Sequence, residues 1–223
     1  YTPGPNQVTV TMLNDVTCGA GTNVGVTVGN YTTLSMNGKI LRGVPGVGTG
    51  VVLIGHNPKI VGPGTVDYFV VGIEAKSITG GAPLIQNLTA RRANTFNIKV
   101  ASTNTPWMLI HDVRASLSSA GSGIRCNDNC TVQLSDIVEN AVDGFQCNNT
   151  TCNTYSNSYV GDFANQGQDM EANNSTVLEY QSCPHDINAI FGSTVTINDP
   201  SCGSIDCLND GTSTYVDPNG TCN

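Results

Sequence analysis

The sequence predicts an all-β fold, a single parallel β-solenoid of about seven or eight coils. Two observations point there. The first is composition: of 223 residues only 12% are charged, and Asn, Thr, Ser, Gly and Val take their place. Those residues favour strands and turns, whereas solvated helices need Lys and Glu on their outer faces. The second is an internal repeat. Short strand-like hexamers begin at Gly50, Gly72, Asn97, Gly123, Gly144, Asp169 and Ala189, at intervals of 22, 25, 26, 21, 25 and 20 residues. A β-sandwich spaces its strands more closely and without such phase.

From the amino end, residues 1–23 read as an N-terminal strand and cap, with Val8–Met12 as the strand. The coils follow over 24–199, opening with Val24–Val28 and Leu34–Gly38. Within each hexamer positions two and four are apolar or small: Val51/Leu53, Ile73/Ala75, Ile98/Val100, Ile124/Cys126, Phe145/Cys147, Met170/Ala172 and Ile190/Gly192. That period of two turns one face inward and leaves the other wet. Between the hexamers runs a second row carrying Asn87, Asp112, Asp136 and Asn157. Asx side chains bond to turn backbone, and stacked copies bond to one another, so this row is expected to be a structural ladder. Residues 200–223 hold three cysteines and no repeat, and read as a disulfide-rich C-terminal cap or extension. At about 4.8 Å per coil the rod would be roughly 35 to 40 Å long.

These hexamers and the Asx row resemble the pectin-lyase-like right-handed parallel β-helices, over about residues 24 to 198. The resemblance is one of fold. It implies a right-handed coil, Asn87 as part of an internal ladder, and a groove for polysaccharide along an outer sheet face. The outward row here is position three of the hexamers: Val52, Glu74, Lys99, Arg125, Gln146, Glu171 and Phe191. A polysaccharide lyase would use Lys99 or Arg125 as base with Glu74 or Glu171 nearby. A carbohydrate-binding module would use the same row without chemistry. The polygalacturonase motifs are absent, and no Asp-Asp pair occurs in the chain.

Nine cysteines, eight of them from Cys126 onward, point to an oxidising compartment. Their spacing is poor for zinc, and no metal site is expected. Cys126, Cys130, Cys147, Cys152, Cys202, Cys207 and Cys222 are expected in disulfides, with Cys18 isolated. If the register holds, either inter-coil staples (126–147, 130–152) or local clips (126–130, 147–152) fit. N-x-[ST] sequons at Asn30, Asn87, Asn129, Asn148, Asn149, Asn173, Asn174 and Asn219 favour a secreted or cell-surface glycoprotein. The chain starts at Tyr1 without Met and reads as a mature form or a fragment.

The net charge of -8 excludes a general nucleic-acid binder, and no apolar run is long enough to span a membrane. All nine Lys and Arg lie at or before Arg125, where they meet four acids; thirteen acids follow. The first part therefore carries 9 − 4 = +5 and the second −13. In a solenoid, position in sequence is position along the axis, so opposite ends of two copies attract. The expected function is a non-catalytic structural or adhesive protein, assembled head to tail into a filament or surface layer. No cofactor is expected, except that Asp199, Asp206, Asp210 and Asp217 are candidates for calcium.

Overall fold

A computed structural model describes residues 7–101, 107–155, 157, 168–180, 184, 186–198, 205–218, 220 and 222. Cys202, Asn219 and Asp199 lie outside the described residues. All regular structure within them is strand, wound into a parallel β-solenoid of about 8 turns. Among the described residues no helix is long and apolar enough to cross a membrane.

Two long sheets run along the solenoid. The nine-stranded one stacks, in order, Val24–Val28, Thr49–His56, Val71–Gly80, Phe96–Val100, Ile124–Cys126, Phe145–Asn148, Met170–Asn173, Asp186–Ile190 and Asp206–Asn209. The 14-stranded one runs from Val8–Thr11 to Thr214–Val216. It forks into a side column of Val16–Thr17, Lys39–Arg42, Gly64–Asp67 and Asp136–Val138. The long strands Leu84–Arg91 and Met108–Ser116 pair with both branches.

The expected inward positions face the core. Val51, Leu53, Ile73, Ala75, Ile98, Val100, Ile124, Cys126, Phe145, Cys147, Met170 and Ala172 are all 0% exposed. Each pair sits above the next in register, so every coil buries its apolar face against two neighbours. The last hexamer is framed differently. Ile187 and Ala189, not Ile190 and Gly192, continue the inward columns of Met170 and Ala172. Gly192 turns a corner at φ 74°, and Phe191 beside it is 66% exposed. Both frames alternate with period two, and only the corner decides between them.

Parallel pairing runs past both boundaries read from the sequence. Val8–Thr11 stacks on Thr32–Ser35, and Val16–Thr17 on Lys39–Arg42. Asp206–Asn209 stacks on Asp186–Ile190, and Thr214–Val216 on Thr194–Ile197. Among the described residues these end coils are covered from one side only, so their burial pattern is weak and they do not read as repeats.

The cysteines form local clips. Cys126 bonds Cys130 and Cys147 bonds Cys152, each across one corner of its own coil, and Cys207 bonds Cys222. Cys126 also stacks on Cys147, and Cys130 on Cys152, so the two clips lie one above the other. Cys18 is unbonded and half-buried. The cluster Cys126, Cys130 and Cys152 has metal-ligand proximity, but all three sulfurs are committed to disulfides.

The Asx row divides. Asn87 and Asp112 occupy the same corner, with φ of 53° and 54°, and point outward rather than into a ladder. The pairing of His111 with Gln133 and Arg114 with Asp136 puts Leu134, at φ 51°, in that corner. Asp136 is two residues further on. Asn157 is buried; its Oδ1 accepts from Ser135 N and its Nδ2 donates to Val132 O.

Inside the coils, other residues do what that row was expected to do. Asn97 Nδ2 donates to Asn140 Oδ1 at 2.9 Å and to Ser116 O at 3.0 Å, and both asparagines are 0% exposed. A serine column stacks at another corner, where Ser175, Ser193 and Ser213 accept from the backbone N–H of Thr150, Ser175 and Ser193. Buried amides and hydroxyls cost free energy unless paired, and these columns pair them coil by coil.

Candidate functional site

The outward row of the nine-stranded sheet is continuous. Thr27, Val52, Glu74, Lys99, Arg125, Gln146, Glu171, Asn188 and Leu208 stand in register on successive strands, with Val52 buried rather than wet. Asn188 takes the place expected for Phe191. Glu74, Lys99, Arg125 and Glu171 are thus brought onto one face, as the sequence implied.

Two charges of the row, Glu74 and Lys99, are spent on each other. Lys99 Nζ donates to Glu74 Oε1 at 2.9 Å, and Lys76 Nζ lies 3.2 Å from Glu74 Oε2. Burial alone would raise the Glu74 pKa, but the hydrogen bonds and charges of Lys99 and Lys76 outweigh it and hold the carboxyl below its ordinary range. Arg125 Nε donates to Asn127 Oδ1 at 3.0 Å, and its guanidinium lies over the Phe96 ring at 5.2 Å. A lysine held by a carboxylate is poorly placed to take a proton from a sugar carbon.

The acidic stretch of the row is a different environment. Gln146 Nε2 donates to Asp143 Oδ2 at 2.5 Å and reaches Glu171 Oε1 at 3.4 Å. Burial raises the Glu171 pKa, the Asp143 charge adds to this, and Arg125 opposes it. Burial likewise raises the Asp143 pKa, against hydrogen bonds from Gln168 N and Gln146 and with the Asp186 charge. The sequence showed no sign of Asp143, which reaches this face from outside the hexamer.

Other candidates are scattered. Asp112 and Asp136 line a groove of about 300 Å³ on the other sheet with Asn87, Thr89 and Arg114. Asp210 lies far from that groove in sequence, and its carboxylate caps the backbone N–H groups of Phe191 and Thr212, which depress its pKa to about 2. Asp217 Oδ2 accepts from Cys222 N at 2.7 Å. Among the described residues, Asp206, Asp210 and Asp217 do not gather into a ligand cluster.

The sequons differ in access. Asn30, Asn87, Asn149 and Asn174 are exposed, Asn129 and Asn173 half-buried, and Asn148 buried. Asn174 Nδ2 donates to Asn149 Oδ1 at 2.9 Å, one coil away.

Comparison with protein-family models, with curated proteins and with solved structures found no match to this chain.

Proposed function

We propose that this chain is a non-catalytic structural or adhesive protein, secreted or held at a cell surface, bearing N-linked glycans and joined head to tail with copies of itself. Within parallel solenoids, we read its coils as right-handed and pectin-lyase-like.

The observation that carries the reading is the open edge at the first coil. Among the described residues Val8–Thr11 pairs only with Thr32–Ser35. Val8 N and Met12 N donate inward, to Tyr31 O and Ser35 O. Strand residues alternate, so the N–H groups of Thr9 and Thr11 point away from the solenoid. Val8, Val10, Leu13 and Val16 are 55%, 51%, 75% and 42% exposed there. Among the described residues Thr214–Val216 and Asp206–Asn209 are the last strands of the two sheets, with Val216 and Leu208 exposed, and Cys222 lies over the start of the second, bridging Ile205 and bonded to Cys207. Unpaired edges of this kind template strand addition. The charge split, +5 before residue 126 and −13 after it, favours opposite ends meeting.

The Glu74–Lys99 pair, each group spent on the other, supports a non-catalytic reading of that part of the row. Negative-stain microscopy of the purified protein tests the proposal. Filaments with an axial repeat of one solenoid support it; monodisperse short rods at every concentration refute it.

A further inference from the structure

Away from the row just described, three guanidiniums converge on one carboxylate. Arg42, Asp67 and Arg91 stand side by side on the strands Lys39–Arg42, Gly64–Asp67 and Leu84–Arg91. Asp67 is fully buried. Among the described residues Arg92 is its hydrogen-bonding partner, with Nε 2.8 Å from Oδ1 and Nη2 2.5 Å from Oδ2. Arg92 is itself fixed: its Nη1 donates to the Tyr68 hydroxyl at 2.8 Å, and its guanidinium lies 4.1 Å from the centre of that ring.

Arg42 and Arg91 are therefore surplus to the carboxylate's needs. Their Nη2 atoms stand 3.7 and 3.6 Å from Asp67 Oδ2, too far for good hydrogen bonds. Arg91 Nε is buried without a hydrogen-bond partner among the described residues. The two side chains remain 47% and 35% exposed. A cavity of about 100 Å³ adjoins Arg42, lined also by Asp15, Val16, Thr17 and Ile40. Asp15 spends Oδ1 on the Ile40 N–H. Counting it, three guanidiniums face two carboxylates. Like charges gathered around one carboxylate repel, and guanidinium N–H groups not spent on Asp67 are suited to a tetrahedral or planar oxyanion.

We propose that Arg42 and Arg91, gathered around Asp67 by its pairing with Arg92, bind an oxyanion group of the sulfate type, either free or carried as an ester on a polysaccharide. The site does not depend on whether the solenoid ends join.

The test follows the arginine side-chain N–H signals by NMR while sodium sulfate is added, against sodium chloride at matched ionic strength. In parallel, calorimetry compares dextran sulfate with neutral dextran. Sulfate is expected to shift the Arg42 and Arg91 signals beyond the chloride response, and neutral dextran to give no heat. Arg42→Gln, which leaves the Arg92–Asp67 pair intact, is expected to weaken sulfate-type binding about tenfold. Arg114→Gln, an exposed arginine on the same sheet, should bind as the parent does. A response to inorganic sulfate without binding of dextran sulfate supports the site and assigns it to the free ion. Signals that move no more with sulfate than with chloride overturn the proposal. So does equal binding of dextran sulfate by both variants. The signal test on the parent protein stands even if Arg42→Gln fails to fold.

Discussion

Lys99 Nζ donates to Glu74 Oε1 at 2.9 Å across two neighbouring strands of the nine-stranded sheet. The pair sits in the row where a lyase would keep its base, and it ties that base to a partner. Both groups retain solvent contact, so the pair is worth about 1 kcal/mol or less. The Glu74 pKa is lowered on folding, so its contribution is present above the ordinary carboxylate value and lost as pH falls through the folded one. Glu74→Gln should therefore lower the melting temperature slightly at pH 7, and the gap to the parent should close as pH drops below about 4. Melting curves across that range check it. A Glu74→Gln protein more stable at pH 7 contradicts it.

Glu171 carries the opposite sign. Its folded pKa is raised, so its contribution is complete below the ordinary value near 4.5 and is lost as pH rises through the folded one. At pH 7 the ionised carboxylate works against folding. Glu171→Gln should raise the melting temperature at pH 7 by about 1–2 °C, since the site is partly open to solvent. At pH 4 the two proteins should melt together.

Gly123 makes room for the buried asparagine pair. A methyl group there would meet Asn140 Nδ2 at 2.6 Å and Gly144 O at 2.8 Å. Gly123→Ala should cost about 1–3 kcal/mol through overpacking, read by denaturant unfolding. Gly29, where added carbon meets nothing within 4 Å, is the control. Gly29→Ala should stay within about 0.5 kcal/mol. Equal effects at the two sites would remove Asn97 and Asn140 from the account of core packing.

Neighbouring sequons should differ in occupancy. Asn149 and Asn174 project from a corner with φ of 54° and 47°, whereas Asn148 is 6% exposed. A glycan on Asn148 would need the coil to open. Site mapping by mass spectrometry, after expression in a glycosylating host, should find sugar on Asn149 or Asn174 and none on Asn148.

The inward columns were legible because Ile98/Val100 and their equivalents alternate strictly, and each coil repeats the alternation. Asn87 and Asp112 were legible as one corner for the same reason. Asp136 was not, because Leu134 adopts the left-handed corner that the rule for Asx residues would assign to Asn or Asp. The serine column is silent in the sequence because a small polar residue carries no periodic hydrophobic signal. The arginine cluster left a trace that hydrophobic periodicity overlooks: Arg42, Asp67 and Arg91 stand 25 and 24 residues apart, one coil each. The repeat thus aligns charge as well as apolar residues.

Sedimentation velocity on the parent and on Thr9→Pro tests head-to-tail joining most directly. Proline there removes an outward N–H and none of the inward donors. The parent should form species growing with concentration at about 10 mM ionic strength and shrinking at about 1 M, where screening is short-ranged. Thr9→Pro should sediment as a folded monomer throughout. A parent that stays monomeric in both salts, or a Thr9→Pro protein that assembles as the parent does, contradicts joining through the first strand.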